Sequence, residues 1–264
     1  MKFLFTRSLI VLGFLSLIPS LVFAIDHNNV DAGRPLNFDD AEAIAYRERA
    51  VEAGVSGAFP NDGPSGLGLG LEFLYGFALN THLSLDLDPS VGGRAGSDET
   101  RFDAGDLSIG LLHNFNREFG SVPAFSLRSD VAFPTGRDSD GVNVRLRGIM
   151  SKVLHQYERI HVNLDGTYRS EPEPNERKFQ PAALVGISKP LGYPRNFNRT
   201  GLAEVRVRQS ETFGTGPIAS AGVGLRQQVT VRSVVDIGIQ SDIIASRNAP
   251  HDDFRITAGY SVSY

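Results

Sequence analysis

From Gly66 to Leu79 the chain sets Leu67, Leu69, Leu71, Phe73, Tyr75, Phe77 and Leu79 at every second position, with Gly66, Gly68, Gly70, Glu72 and Gly76 between them. Successive side chains of a strand point to opposite faces, so a period of two predicts a strand with one apolar face and one small or polar face. The pattern returns along the chain. Glu48 to Phe59 sets Val51, Ala53, Val55 and Phe59 against Glu48, Glu52 and Ser56. Similar segments run from His82 to Val91, Asp103 to Phe115, Val122 to Phe133, Val142 to Leu154, Arg159 to Arg169 and Lys178 to Lys189. Four more run from Thr200 to Phe213, Pro217 to Gln228, Ser233 to Ile244 and Asp253 to Tyr264.

The last segment carries Phe254, Ile256, Ala258, Tyr260, Val262 and Tyr264 opposite Arg255, Thr257, Gly259, Ser261 and Ser263, up to the final residue of the sequence. A strand that ends there needs a partner, and pairing with the first strand would close the sheet on itself. Segments of about ten residues with this alternation are the signature of a transmembrane β-barrel. The connections alternate in length as such a barrel requires. Short turns fall at Asn80-Thr81, Asn116 to Gly120, Gln156 to Glu158 and Val229 to Arg232. Longer polar loops fall at Pro60 to Ser65, Gly92 to Phe102, Pro134 to Gly141, Ser170 to Arg177, Ser210 to Gly216 and Ala245 to Asp252. One connection, Pro190 to Arg199, is long for its side. The fold class predicted is therefore all-β, a closed antiparallel up-and-down transmembrane barrel of about twelve strands; ten or fourteen would also close.

The first strand has a competitor. Asp39-Asp40 could cap a helix from Ala41 to Ala53, a stretch rich in Ala, Glu and Arg, and local propensity favours it. A helix there would leave about seven residues for the strand, fewer than the roughly 9–11 needed to span. The domain division predicted is a cleaved signal at 1–24, an arm at 25–47 that stays in the periplasm or enters the lumen, and a barrel at 48–264.

Composition adds the compartment. Lys2 and Arg7 precede the apolar run Leu9 to Ile18, and Val22-Phe23-Ala24 offers a small-residue cleavage site, the pattern of a secretory signal. The chain has no cysteine, which removes lipidation at the cut, disulfides and thiolate metal sites. Loss of the signal takes the formal net charge from −4 to about −6, so nucleic acid is not expected as a partner. With 28 glycines and 41% hydrophobic residues, the chain suits half-apolar barrel strands. A secreted soluble β-sandwich would have to explain one apolar face on so many strands.

The same register sends Glu52, Glu72, Asp86, Arg128, Asp130, Arg145, Arg147, Asp165, Arg169, Glu204, Arg206, Arg208, Arg226, Asp236, Asp242 and Arg255 inward. In lipid a Lys or Arg costs about 2–4 kcal/mol at the midplane, so this register is strongly preferred. These residues are the candidates for setting selectivity in a polar lumen. The alternative is an ion-pair network that fills a narrow barrel and leaves no path.

No catalytic set, metal site or cofactor motif emerges. His161-Val162-Asn163 lacks the serine that a barrel lipase would place next, and His113-Asn114 has no nearby nucleophile. Asp138-Ser139-Asp140-Gly141 has Ile149 where a calcium loop needs its twelfth-position Glu, and it reads as a turn, as does His251-Asp252-Asp253.

One stretch is more specific. Asp130-Val131-Ala132-Phe133-Pro134-Thr135-Gly136-Arg137-Asp138, followed by a strand and Ile160-His161-Val162-Asn163-Leu164, resembles the bacterial outer-membrane transporter family named for the meta-pathway of phenol degradation. Arg34-Pro35-Leu36, Asp39-Asp40-Ala41, Gly222 to Arg226 and Val235 to Ile239 fit the same resemblance. It covers most of the mature chain, although Ala50-Val51-Glu52-Ala53 departs from the family's usual start of strand one. The resemblance implies a barrel in the cell outer membrane and passage of small aromatic or hydrophobic solutes, with no catalytic residues. It tips Glu48 to Phe59 toward a strand. Outer-membrane lipid and the barrel-assembly machinery are then the expected partners, with Tyr260, Val262 and Tyr264 as the assembly signal. Two functions stay open: a passive channel, or a plugged barrel with a structural or surface-recognition role.

Overall fold

The computed structural model describes residues 34–92, 101–137, 139–155, 157–246 and 248–264. The predicted signal, the arm before Arg34 and much of the Gly92 to Phe102 loop lie outside the described residues. The strands are β1 (Arg49–Pro60), β2 (Gly66–Ala78), β3 (Thr81–Leu87), β4 (Ser90–Gly92), β5 (Arg101–Asp103), β6 (Leu107–Asn116) and β7 (Ala124–Phe133). They continue with β8 (Asn143–His155), β9 (Glu158–Arg169), β10 (Phe179–Pro190), β11 (Arg199–Arg208), β12 (Ile218–Thr230), β13 (Ser233–Ile244) and β14 (Asp252–Ser263). β4 resumes the path of β3 after Asp88-Pro89, where proline has no N–H to give the ladder. β5 leads likewise into β6, so the ladder segments form a closed antiparallel barrel of twelve strands.

Closure is made by β1, which pairs with β2 on one side and β14 on the other. Val51 lies opposite Val262, Ala53 opposite Tyr260 and Phe59 opposite Phe254, whose rings stack 4.2 Å apart on the outer face of the seam. The last residue takes part: Tyr264 N donates to Arg49 O at 2.8 Å. Every neighbouring pair is antiparallel, which lets short turns connect the strands. Asn80 makes the β2–β3 turn with a φ of 57°, a left-handed conformation that asparagine tolerates better than other chiral residues. The structure thus has a turn end, which also carries the start of β1 and the end of β14, and a loop end.

The alternation separates the two faces as read from the sequence. Val55, Leu69, Phe73, Ile109, Val205, Ile237 and Ile256 are exposed on the outside, while Glu52, Arg128, Arg147, Glu204 and Asp236 are buried inside. No described helix is long and apolar enough to cross a membrane, and the apolar belt belongs to the strands. At the turn end Tyr157, Tyr193 and Phe197 form a triangle of rings 5.2–5.5 Å apart, suited to a membrane–water boundary. Two of those rings come from the long Pro190 to Arg199 connection, which gives its extra length a use.

The capped helix over Ala41 to Ala53 does not form. Arg47 N donates to Gly76 O at 2.6 Å and Gly76 N to Glu48 O at 3.0 Å, so strand-like pairing begins where the helix would have continued. Tertiary hydrogen bonds override the local propensity. At Gly76 a Cβ would stand 2.0 Å from Ala45 O, a close approach that only glycine permits. β11 is also shorter than its periodicity predicts, ending at Arg208 and not Phe213. Beyond it Phe213 N binds Asn175 O, and Glu211 O accepts from Arg177 N, drawing the segment onto the loop after β9.

Candidate functional site

The arm at residues 34–48 runs inside the barrel and is irregular throughout. A segment without secondary structure carries backbone donors and acceptors that must find partners when buried. Here the strands supply them through side chains. Asn163 of β9 pairs with Asp39 in both directions, its Oδ1 accepting from Asp39 N at 2.7 Å and its Nδ2 donating to Asp39 O at 2.9 Å. Ala41 N donates to Ser151 Oγ at 2.9 Å, while Ala41 O accepts from Asn114 Nδ2 at 2.7 Å and from the Ser126 hydroxyl. Glu204 of β11 takes Asn37 N at 2.8 Å, Phe38 N at 3.1 Å and Asn37 Nδ2 at 2.6 Å.

Apolar contacts follow the same path. Leu36 and Phe38 pack with Leu184 and Leu202, Ala41 with Leu112, Ala124 and Ile149, and Ile44 with Ala50 and Leu74. Burying side chains the size of Leu36 and Phe38 contributes about 1.5–3 kcal/mol each. Pro35 lies over Gly224 and Gly238, and the Phe38 ring over Gly186, where a Cβ would come within 2.5 Å of the ring. The inward glycines of β10, β12 and β13 leave the room that the arm occupies.

His161 is fully buried between Ser151 Oγ (2.9 Å) and Ser188 Oγ (3.0 Å), and its ring stacks on Phe38 at 4.9 Å. Ser151 is already engaged by the arm, and all three side chains are sealed from solvent. A nucleophile and base need a place for substrate, and this cluster has none, so it positions the arm.

Charges link the arm to the wall. Arg147 grips Asp165 with Nε and Nη2 at 2.6 and 2.8 Å and reaches Asp39 Oδ2 with Nη1 at 2.7 Å. Arg128 contacts Asp130 at 2.8 Å and Glu72 at 3.2 Å, with Asp39 at 3.9 Å and Asp86 at 4.0 Å. Arg34 of the arm bonds Glu52 of β1 at 2.5 Å beside the closing seam, and Arg159 pairs with Asp40 and Glu42. Each buried charge needs such partners, because leaving one alone costs several kcal/mol.

Toward the loop end the packing stops. A cavity of about 1550 Å³ extends from Arg34, Pro35 and Asn37 up to Pro60, Glu173 and His251 in the loops. Arg145, Asp165, Arg169, Arg206, Arg208, Asp242 and Arg255 line it. The remaining residues proposed from sequence lie in or beside the packed part. Glu52, Glu72, Arg128, Asp130, Arg147, Glu204, Arg226 and Asp236 are buried, and Asp86 borders a side recess of about 220 Å³ with Asp88, Asp130 and Arg145. Arg226 and Asp236 are cross-strand partners. Tyr260 faces outward, and Val262 is half-buried beside the seam.

The Pro-Thr-Gly stretch after β7 has a structural task. Thr135 Oγ1 accepts from Leu107 N at 2.8 Å and donates to Gly105 O at 3.1 Å. Gly136 N and Arg137 N bind Asp106 and Asp103 at 3.0 and 2.8 Å. The motif ties the loop after β7 to the chain entering β6, fixing part of the cavity's rim.

The sequence carried a signal for the arm's dock that inward charges alone do not show. Leu74, Leu112, Ile149, Leu184 and Leu202 are apolar residues at inward positions. Each interrupts the expected polar inner row. They cluster where the arm passes, so breaks in strict alternation mark the wall that it covers.

No protein-family model matches the chain, and no curated protein matches its sequence. Among solved structures, an outer membrane channel from Pseudomonas putida F1 is similar at a TM-score of 0.67 and 15% identity, covering 89% of this chain and all 100% of that one. The NanC porin is similar at a TM-score of 0.57 and 9% identity, over 81% of this chain and 98% of the other. The KdgM porin gives 0.54 and 12% over 81% and 99%. At these identities the likeness is one of fold: this chain's twelve-strand barrel resembles the folds of an outer-membrane channel and of porins.

Proposed function

We propose that this chain is a passive outer-membrane channel, with its turn end in the periplasm and its loop end outside, through which a small organic solute diffuses. The observation that carries this reading is the cavity of about 1550 Å³, which enters from the loop end and reaches the arm. It is larger than the roughly 300–1,000 Å³ of ordinary small-molecule sites, and its wall is mainly polar. The arm sets the constriction. Aromatic or hydrophobic solutes are the finer proposal, supported by the resemblance around Asp130 to Asp138 to the phenol meta-pathway family. Export by the Met1 to Ala24 signal and recognition of Tyr260, Val262 and Tyr264 by the assembly machinery complete it.

Purified protein in planar bilayers is expected to conduct, with a conductance that changes when Arg206 and Arg208 become Ala. A silent bilayer with folded protein would sink the channel reading. The second reading, a plugged barrel, is favoured by the dense packing around Phe38, Asp39 and Ala41. It expects no conductance in the native protein, and conductance only once the arm's contacts are loosened.

A further inference from the structure

The cavity arginines differ in one respect. Arg145 has Asp130 at 2.9 Å, Arg169 has Glu176 and Glu211 at 2.9 and 2.8 Å, Arg208 has Asp242 at 2.9 Å and Arg255 has Asp252 at 2.7 Å. Arg206 has no carboxylate within ion-pair reach among the described residues, and its Nε is buried without a hydrogen-bond partner. Its cross-strand neighbours are Leu184 and Ser220, neither of them charged. The nearby carboxylates are already engaged: Glu204 holds the backbone of Asn37 and Phe38, and Asp165 is held by both arms of Arg147.

We infer that Arg206 is a binding site for the carboxylate group of a small organic acid held in the cavity above the arm. A guanidinium that lacks a partner and faces a cavity gains most from an oxyanion, and its planar fork matches a carboxylate with two parallel hydrogen bonds. The site also offers an apolar flank, with Ala182 on β10 and Pro35 of the arm lining the same space. An acid with a small hydrophobic body meets both features. This assignment rests on the channel reading in one respect: the bound acid is the solute that enters from the loop end.

The test is isothermal titration of the folded, detergent-solubilised protein with benzoate, benzyl alcohol and inorganic phosphate. Benzoate is expected to bind at one site, and benzyl alcohol, which keeps the ring and loses the charge, at least about tenfold more weakly, a difference of ~1.4 kcal/mol. Arg206→Gln should remove that preference, Arg206→Lys should keep part of it, and Lys189→Gln, exposed at the turn end outside the cavity, should leave it in place. Folding of each variant is checked by heat-modifiable migration; the benzoate and benzyl alcohol comparison on the native protein stands even if Arg206→Gln fails to fold. Equal binding of the two ring compounds, absence of benzoate binding, or phosphate binding as tightly as benzoate would each overturn the assignment. Conductance on the same preparation separates the two ideas. A conducting barrel indifferent to benzoate refutes the acid site alone, and a silent barrel that binds benzoate through Arg206 refutes the channel alone.

Discussion

Strands β8 and β9 show the two halves of the lumen side by side. Toward the turn end they contribute Arg147, Ile149, Ser151, His161 and Asn163, all buried against the arm. Toward the loop end the same strands contribute Asn143, Arg145, Thr167 and Arg169, which line open space. The backbone geometry does not change between them. What differs is an irregular stretch of chain that fills one half, so the arm decides where this barrel is solid and where it is hollow. Arg145 and Arg147 stand two residues apart on one face of β8. Arg145, about a third exposed, leans on one carboxylate, whereas Arg147 is enclosed with Asp39 and Asp165.

Substituting these two arginines separately is the strongest way to break the comparison. Arg147→Ala leaves Asp39 and Asp165 buried without their shared cation, an expected loss of about 3–5 kcal/mol. Arg145→Ala should cost only about 0–1 kcal/mol, as partly exposed pairs do. Denaturant titration followed by heat-modifiable migration reads both; equal losses would show that the two halves are not energetically distinct.

The outer face provides a control that both halves share. Ile239, exposed near the middle of β13, should cost about 2–4 kcal/mol as Ile239→Arg in lipid, with the arm undisturbed. Folding into bilayers of defined composition measures it, and a neutral result would mean that this face does not meet hydrocarbon. A milder change acts on the arm itself. Gly186→Ala puts a methyl group against the Phe38 ring, at an expected overpacking cost of about 1–3 kcal/mol, and should raise conductance by displacing the arm. Unchanged conductance with measurable destabilisation would place the constriction elsewhere.

The smallest expected effect is at the turn after β6. Burial opposes ionisation of Glu118, yet the Lys152 ammonium and Val153 N–H (2.9 Å) hold its carboxyl below the ordinary value of 4.5. A carboxyl lowered in this way stabilises the turn above that ordinary value and loses its effect as pH falls through the folded one. The hydrogen-exchange protection factor of the Val153 amide should therefore be constant at neutral pH and fall only in acid. A fall between pH 7 and 6 would contradict the assignment.

Much of this architecture was legible from periodicity. The register of β2, β13 and β14 follows from strict alternation, because a shift of one residue would put Glu72, Asp236 or Arg255 into lipid. The loop lengths gave the ends of the barrel. The state of Ala41 to Glu48 was not legible, since its helix-forming composition competes with contacts made by residues as distant as Gly76, Ser151 and Asn163. The pairing of inward charges was equally hidden. Alternation states that Arg147, Arg206 and Asp165 face inward, but not that Asp165 belongs to Arg147 and that Arg206 has no carboxylate partner among the described residues. Those partners depend on where the arm lies and which carboxylates it occupies.

The arm joins β1 directly at Glu48 and Arg49, beside the Tyr264 contact that closes the ring. Residues 34–48, even if drawn out of the lumen, remain tied to the rim by about 3.3–3.6 Å of chain per residue. Such a short tether keeps a released segment at an effective concentration on the order of millimolar, so its return is a unimolecular event. Opening would then appear as brief flicker in single-channel records, with lifetimes independent of protein concentration. Long open periods that lengthen on dilution would argue against the tether.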